Sequence, residues 1–124
     1  MELLIPGSYY HIYNHANGSD LLFKSPDNYD FFINRYIKHV SGAVNTLAYC
    51  LMSNHFHLLI QLKTESDIIN KIESKRVLSN YDTAECEAAK EKVISLFVSK
   101  QFQIYLAPIL RLLTRHMDEW EVFL

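Results

Sequence analysis

The residues of this sequence best suited to chemistry are His55 and His57, which stand two apart within the apolar stretch "LMSNHFHLLI" (residues 51–60). Side chains at positions i and i+2 of a β-strand point to the same face of the sheet. If this stretch is a strand, the two imidazoles lie side by side. They then either hold a metal ion together or remain two exposed rings on a solvated face.

A second segment, "YYHIYNH" (residues 9–15), is aromatic and alternating, which is typical of a strand. If it lies beside the strand of His55 and His57, histidines and tyrosines form one patch on an open sheet face. Such a patch suits metal and phosphate chemistry, although aromatic residues in a strand more often serve packing. The residues of this segment that share the face are Tyr9, His11, Tyr13 and His15.

The remaining strand signals predict an antiparallel sheet. Residues 45–52 read as a second strand, Ser53 and Asn54 as a tight turn, and residues 55–62 as a third strand paired with the second. Residues 21–23 read as a short returning strand after the turn "ANGSD". Strands in this order with intervening helices predict an α+β fold, in which helices pack on one face of the antiparallel sheet.

Three helices are predicted. The first follows Ser25, a suitable N-cap, and Pro26 at the first helical position, and it ends at Ser41-Gly42. A weaker helix covers residues 67–77, and after the polar break at 79–83 a long helix runs from Ala84 at least to Leu106. The expected apolar stripe of the first helix comprises Phe31, Phe32, Tyr36, Ile37 and Val40.

Length and composition indicate one domain over residues 1–124 with a modest core. Proteins that bind nucleic acid usually carry a surplus of basic residues, so the net charge of −2 does not favour a nucleic-acid partner. Only two cysteines are present, Cys50 and Cys86, in unrelated contexts, so a reduced cytoplasmic protein is expected. No apolar run reaches the roughly 18 residues that suggest a membrane span, so no membrane partner is expected.

The segments "YYHIYNHANGSDLLF" and "NHFHLLIQ" resemble the single-tyrosine HUH transposases of small insertion sequences, including the repeat-associated tyrosine transposases. The resemblance covers residues 8–102. It implies a ferredoxin-like antiparallel sheet, a homodimer, and His55 and His57 as ligands of Mg²⁺ or Mn²⁺. It also implies DNA cleavage and joining on single-stranded DNA beside a hairpin, through a 5′-phosphotyrosine. DNA contacts are predicted for Asn14, His15 and Asn54.

The family's nucleophilic tyrosine is missing where the resemblance expects it, on the last helix. That position holds Ile109, beside the helix-breaking Pro108. Tyr105 lies four residues earlier, about one helical turn, and is the candidate catalytic residue that remains. Packing is the more favoured role for Tyr105. The chain is therefore expected to keep the histidine pair and to lack cleavage activity.

The segment 104–124 is predicted to be an off-frame or atypical tail. Read two nucleotides later, allowed codons of this segment give "LFSTYTQAFNKTYGRMGSFF", which contains the family's tyrosine segment. Part of that reading is forced: Met117-Asp118 and Trp120-Glu121 must each give glycine. A frameshift in a transposase gene is our hypothesis for this match, and a sequencing or cloning error is an equal alternative.

Two further functions stay open at this point. The first is a non-catalytic DNA-binding module derived from such a transposase. The second is a small zinc-binding protein unrelated to DNA, with ligands drawn from His15, His55, His57 and Cys50. A tyrosine placed close to the histidine pair would favour an active enzyme over the DNA-binding module. The distances among the four candidate ligands test the zinc-binding alternative.

Overall fold

The computed structural model describes residues 3–74, 87–113 and 121–123. Their elements are β1 (Tyr9–His15), α1 (Pro26–His39), β2 (Val44–Met52), β3 (His55–Leu62), α2 (Glu65–Ser74), α3 (Glu87–Leu106), a 3-10 helix (Ala107–Leu112) and β4 (Glu121–Phe123). The strands form one antiparallel sheet in the order β2-β3-β1-β4. Strands and helices in this succession make the ferredoxin-like arrangement, which confirms the predicted α+β fold class.

Alternation along the two central strands gives the sheet one buried and one open face. The buried face packs against the helices, and Phe32 of α1 contacts both Phe56 of β3 and Tyr105 of α3. The central strands contribute to it Tyr10, Ile12, Phe56, Leu58, Ile60 and Leu62. The open face, called the histidine face below, carries Tyr9, His11, Tyr13, His15, His55, His57, Leu59 and Gln61.

Helix α1 starts where the sequence predicts, but its apolar stripe is narrower than expected. Residues spaced by four, Phe32, Tyr36 and Val40, are buried, whereas Phe31 and Ile37 are 52% and 59% exposed. The prediction for these two residues is wrong because they flank the line of closest approach to the sheet. The Ser25 side chain makes no capping hydrogen bond, although the residue stands at the N-cap.

Two other local predictions need correction. Residues 21–23 form no strand: the backbone N–H groups of Leu22 and Phe23 both donate to the carbonyl of Ser53, which holds the segment against the β2–β3 turn. Helix α2 begins at Glu65, two residues earlier than expected. Its predicted end at Val77 and the polar break at 79–83 lie outside the described residues.

The start of the segment 104–124 packs onto the fold. The α-helix ends at Leu106, and Pro108 stands in the first turn of the following 3-10 helix, as expected of a helix breaker. Leu113 is buried and forms an isolated bridge with Ala16. Farther along, residues 121–123 add a short fourth strand to the free edge of β1.

Arg35 of α1 stabilises the end of α3, whose last turn carries no basic residue of its own. Its guanidinium donates to the backbone carbonyls of Ile104 and Tyr105, the latter at 3.1 Å, and lies over the Phe31 ring. A cation at the C-terminal end of a helix satisfies free carbonyls and interacts favourably with the helix dipole. The contact therefore fastens α1 to α3 beside the core.

One segment of the described residues, Lys90–Leu112, is long and apolar enough to cross a membrane, with a mean hydropathy of 1.4 over its best window. The core helix of a soluble protein has the same composition, and 56% of this window is buried inside the fold. In this structure the apolar residues of α3, including Ile94, Val98 and Phe102, lie in the core.

Candidate nucleic-acid and metal site on the histidine face

His55 and His57 lie side by side on β3, as their spacing predicts. Their ring centroids are 5.3 Å apart and the ring planes are nearly perpendicular, at 86°. The register sets Tyr13 and His15 of β1 directly opposite His57 and His55, respectively. On the other side of β3, Cys50 of β2 stands opposite His57. The expected juxtaposition of the two histidine-bearing strands is therefore present.

His11 forms the tightest contact of the face. Its Nε2 lies 2.7 Å from Nδ1 of His57, a hydrogen bond that joins β1 to β3 diagonally. The His11 ring also stacks on Tyr13 at 4.6 Å, and it meets the His57 ring edge to edge, with the two ring planes only 14° apart. Tyr13 and His57 are stacked at 5.7 Å, so the three rings form one nearly parallel group.

His55 has its own pair of neighbours. Its ring stacks on His15 at 4.7 Å, and its Nδ1 lies 2.8 Å from Oδ1 of Asn54 in the β2–β3 turn. A carboxamide oxygen only accepts hydrogen bonds, so Nδ1 of His55 donates this bond, and in the neutral ring Nε2 carries the lone pair. His15 is exposed at the rim of this face.

Burial and the neighbouring histidines lower the affinity of His57 for protons. Burial lowers the pKa of His57, and the nearby imidazoles of His11, His55 and His15 lower it further, because like charges would lie close together. At neutral pH His57 is therefore a neutral imidazole that can offer a lone pair. None of the eight residues that define the histidine face is a lysine or arginine, so the face provides no fixed positive charge for a phosphate.

The donor set on this face fits a divalent ion that is only partly enclosed by protein. Nδ1 of both His55 and His57 is engaged in a hydrogen bond, which leaves Nε2 of each ring for a ligand. Water and phosphate oxygens would complete the coordination. Two imidazoles favour Mn²⁺ over Mg²⁺, because magnesium prefers an all-oxygen shell.

The structure gives no support to the zinc-binding alternative with ligands drawn from His15, His55, His57 and Cys50. Within the described residues, no group of three or more His, Cys, Asp or Glu side chains is arranged to hold a metal ion. His15 stacks face to face on His55, so the in-plane lone pairs of these rings do not converge on one point. Cys50 is exposed and lines a shallow concavity of about 260 Å³ beside His57 and His11.

One of the predicted DNA-contact residues, Asn14, lies on the opposite side of the sheet. Asn14 is only 5% exposed, and its Oδ1 accepts from the backbone N–H of His15. A contact between the Asn14 side chain and DNA would need the core to open. Asn54, in the turn, and His15, at the rim, are by contrast close to His55.

Tyr105 of α3 lies in the core, 2% exposed, and packs against α1. Its ring contacts Phe32 at 4.9 Å and Tyr36 at 5.5 Å, and its hydroxyl has no hydrogen-bond partner among the described residues. Burial raises the pKa of Tyr105, the Tyr36 hydroxyl raises it further, and Arg35 opposes the shift. These surroundings fit the packing role and disfavour the phenolate that a nucleophile needs.

The contact that sequence reasoning missed is the His11–His57 hydrogen bond. Alternation placed both rings on one face, but the pairing register that makes them diagonal neighbours has no signature in the sequence. Comparison with protein-family models, with curated proteins and with solved structures finds no match to this chain.

Proposed function

We propose that this chain binds single-stranded DNA on the histidine face, with a divalent cation held by His55 and His57 against a DNA phosphate, and that it does not cleave the strand. This is the binding half of the chemistry implied by the resemblance to single-tyrosine HUH transposases. The observation that carries the proposal is the pairing of His55 and His57 on an open central strand, flanked by the stackable rings of β1.

Ring stacking supports a single-stranded ligand. Sheet faces that carry aromatic rings on adjacent central strands offer platforms for unpaired bases, whose flat faces are hidden in a duplex. Tyr13 and His15 stand on β1 directly opposite the histidine pair. Such stacking contributes about 1–3 kcal/mol per base and tolerates sequence variation.

The lack of positive charge on the histidine face is the reason that the proposal includes a cation. The chain has a net charge of −2 and the defining residues of the histidine face include no lysine or arginine. A phosphodiester brought to this face therefore needs a positive charge from elsewhere. A bound divalent ion would supply that charge and would polarise the phosphodiester as a Lewis acid.

The position of Tyr105, the candidate nucleophile of the sequence analysis, argues against cleavage. Its hydroxyl is buried on the helix side of the sheet, whereas the histidine pair faces the other side. In-line attack requires the nucleophile within about 3–3.5 Å of the phosphorus atom. The DNA-binding module is therefore favoured over the active transposase.

The test is fluorescence anisotropy with a fluorescein-labelled oligothymidine, with Mn²⁺ or with EDTA. We expect wild-type binding to require Mn²⁺, and His57→Ala to lose the Mn²⁺-dependent part. A matched control is His39→Ala, which makes the same change in the last turn of α1, away from the face. Equal binding by wild type and His57→Ala would contradict the proposal.

The second arm looks for chemistry. The chain is incubated with Mn²⁺ and a labelled hairpin carrying a single-stranded flank, and a denaturing gel then reports any covalent protein–DNA adduct. We expect none. Any such adduct would overturn the non-cleaving assignment and restore the transposase, and its disappearance in Tyr105→Phe would identify Tyr105 as the nucleophile.

A further inference from the structure

The hydrogen bond between His11 and His57 has a consequence for which nitrogen of His57 can bind a ligand. Each neutral imidazole has one N–H and one lone pair. With His57 Nδ1 only 2.7 Å from His11 Nε2, one of these atoms must donate and the other must accept. Two arrangements of the protons are therefore possible.

The two arrangements differ at the outer nitrogen of His57. If His57 Nδ1 accepts, its proton is on Nε2, and that nitrogen cannot coordinate a cation. If His57 Nδ1–H donates to His11, the lone pair is on Nε2. Only the second arrangement agrees with a cation held by this ring, and it makes His57 equivalent to His55, whose Nδ1–H donates to Asn54.

We infer that His11 is a positioning residue: its Nε2 accepts a hydrogen bond from Nδ1–H of His57 and thereby keeps the lone pair of His57 on Nε2, facing the ligand. The inference rests on the proposed function for the identity of that ligand, a divalent cation. Partners of this kind orient a metal-binding imidazole, and removing one weakens metal binding by about 10- to 100-fold.

The arrangement of the three rings supports a role in orientation. The His11 and His57 planes differ by only 14°, and Tyr13 lies nearly parallel to both. This packing restricts rotation of the His57 ring about its own axis. The hydrogen bond then selects the tautomer of a ring whose direction is already restricted.

The direct test is ¹⁵N NMR of the histidine rings in the metal-free, DNA-free protein at a pH where His57 is neutral. We expect the proton of His57 on Nδ1 in the wild type. His11→Phe keeps a flat ring for stacking but has no acceptor, and should move the proton to Nε2. His11→Gln offers an amide oxygen as acceptor and should retain it on Nδ1.

Cys50→Ala is the neighbour control, because Cys50 faces His57 from β2 without entering the hydrogen bond. It should leave the tautomer unchanged. A wild-type proton on Nε2 would overturn the inference, and so would a His11→Phe protein that keeps it on Nδ1. The wild-type measurement needs no variant, so poor folding of His11→Phe would not spoil the test.

Mn²⁺ affinity, measured by calorimetry, gives the second readout. We expect about 10- to 100-fold weaker binding for His11→Phe, with most of the affinity retained in His11→Gln. If the wild type shows the Nδ1–H tautomer but binds neither Mn²⁺ nor single-stranded DNA, the proposed function is wrong while the tautomer assignment holds. Tight Mn²⁺ binding that is equal in wild type and His11→Phe would overturn the positioning role alone.

Discussion

The Tyr105 hydroxyl offers the sharpest prediction, because removing it should stabilise the protein. Tyr105 is 2% exposed and its hydroxyl has no hydrogen-bond partner among the described residues. A buried polar group without a partner costs about 1–3 kcal/mol. Tyr105→Phe removes that cost and keeps the ring contacts with Phe32 and Tyr36.

We therefore expect Tyr105→Phe to raise the free energy of unfolding by about 1 kcal/mol or more. For a chain of this size, a gain of about 1 kcal/mol raises the Tm by about 4 °C. Urea denaturation, followed by circular dichroism, measures the first quantity, and a thermal scan measures the second.

Tyr36→Phe is the matched control, since it makes the same chemical change on a neighbouring ring. The Tyr36 hydroxyl hydrogen-bonds Oγ1 of Thr46 at 2.5 Å. Its loss should lower the free energy of unfolding by about 0.5–1.5 kcal/mol. The two variants should therefore move in opposite directions. A similar loss of stability in Tyr105→Phe would mean that its hydroxyl has a partner, and would refute the reasoning.

Three further predictions concern other contacts. Arg35→Met removes the guanidinium bonds to the end of α3 and should lower the free energy of unfolding by about 1–3 kcal/mol in urea denaturation; a change near zero would contradict this. Gly42→Ala brings a new Cβ within 2.7 Å of the Lys71 side chain, whose flexible end can move, so stability should change by less than about 0.5 kcal/mol; a larger loss would mean a fixed lysine. The pKa of His57 is lowered in the folded chain, so the folded chain binds a proton at His57 less well than the unfolded chain does. Protonation of His57 therefore lowers the free energy of unfolding as the pH falls through and below the ordinary histidine pKa. The Tm should fall between about pH 7 and about pH 5, and less so in His57→Gln; an equal fall in both proteins would assign the effect to other groups.

Periodicity predicted the central strands closely, because each has one buried face. β1 and β3 match the predicted segments at both ends, and alternation placed His55 and His57 on the open side. Helix α1 also begins where Pro26 predicts. The edges of the apolar stripe were less predictable, since Phe31 and Ile37 are apolar but lie beyond the line of contact with the sheet.

The candidate site was predictable in outline and not in its contacts. The spacing of His55 and His57 fixed their common face, but the bond from His11 depends on strand register. Asn14 occupies one of the alternate positions of β1 that face the core, so alternation alone argued against a surface role for its side chain. For Tyr105, burial came from the way α3 packs on α1, which a single helix pattern does not reveal.

The most direct test of the central claim is an NMR titration of the ¹⁵N-labelled chain with oligothymidine in a large excess of Mg²⁺, a diamagnetic substitute whose excess offsets its weaker binding to imidazole. We expect the largest shift changes at Tyr13, His15, His55 and His57, on the open face of β1 and β3. We expect none of comparable size at Tyr105 and Arg35, on the helix side. Shifts concentrated on the helix side, or no shifts at all, would contradict single-stranded DNA binding on the histidine face.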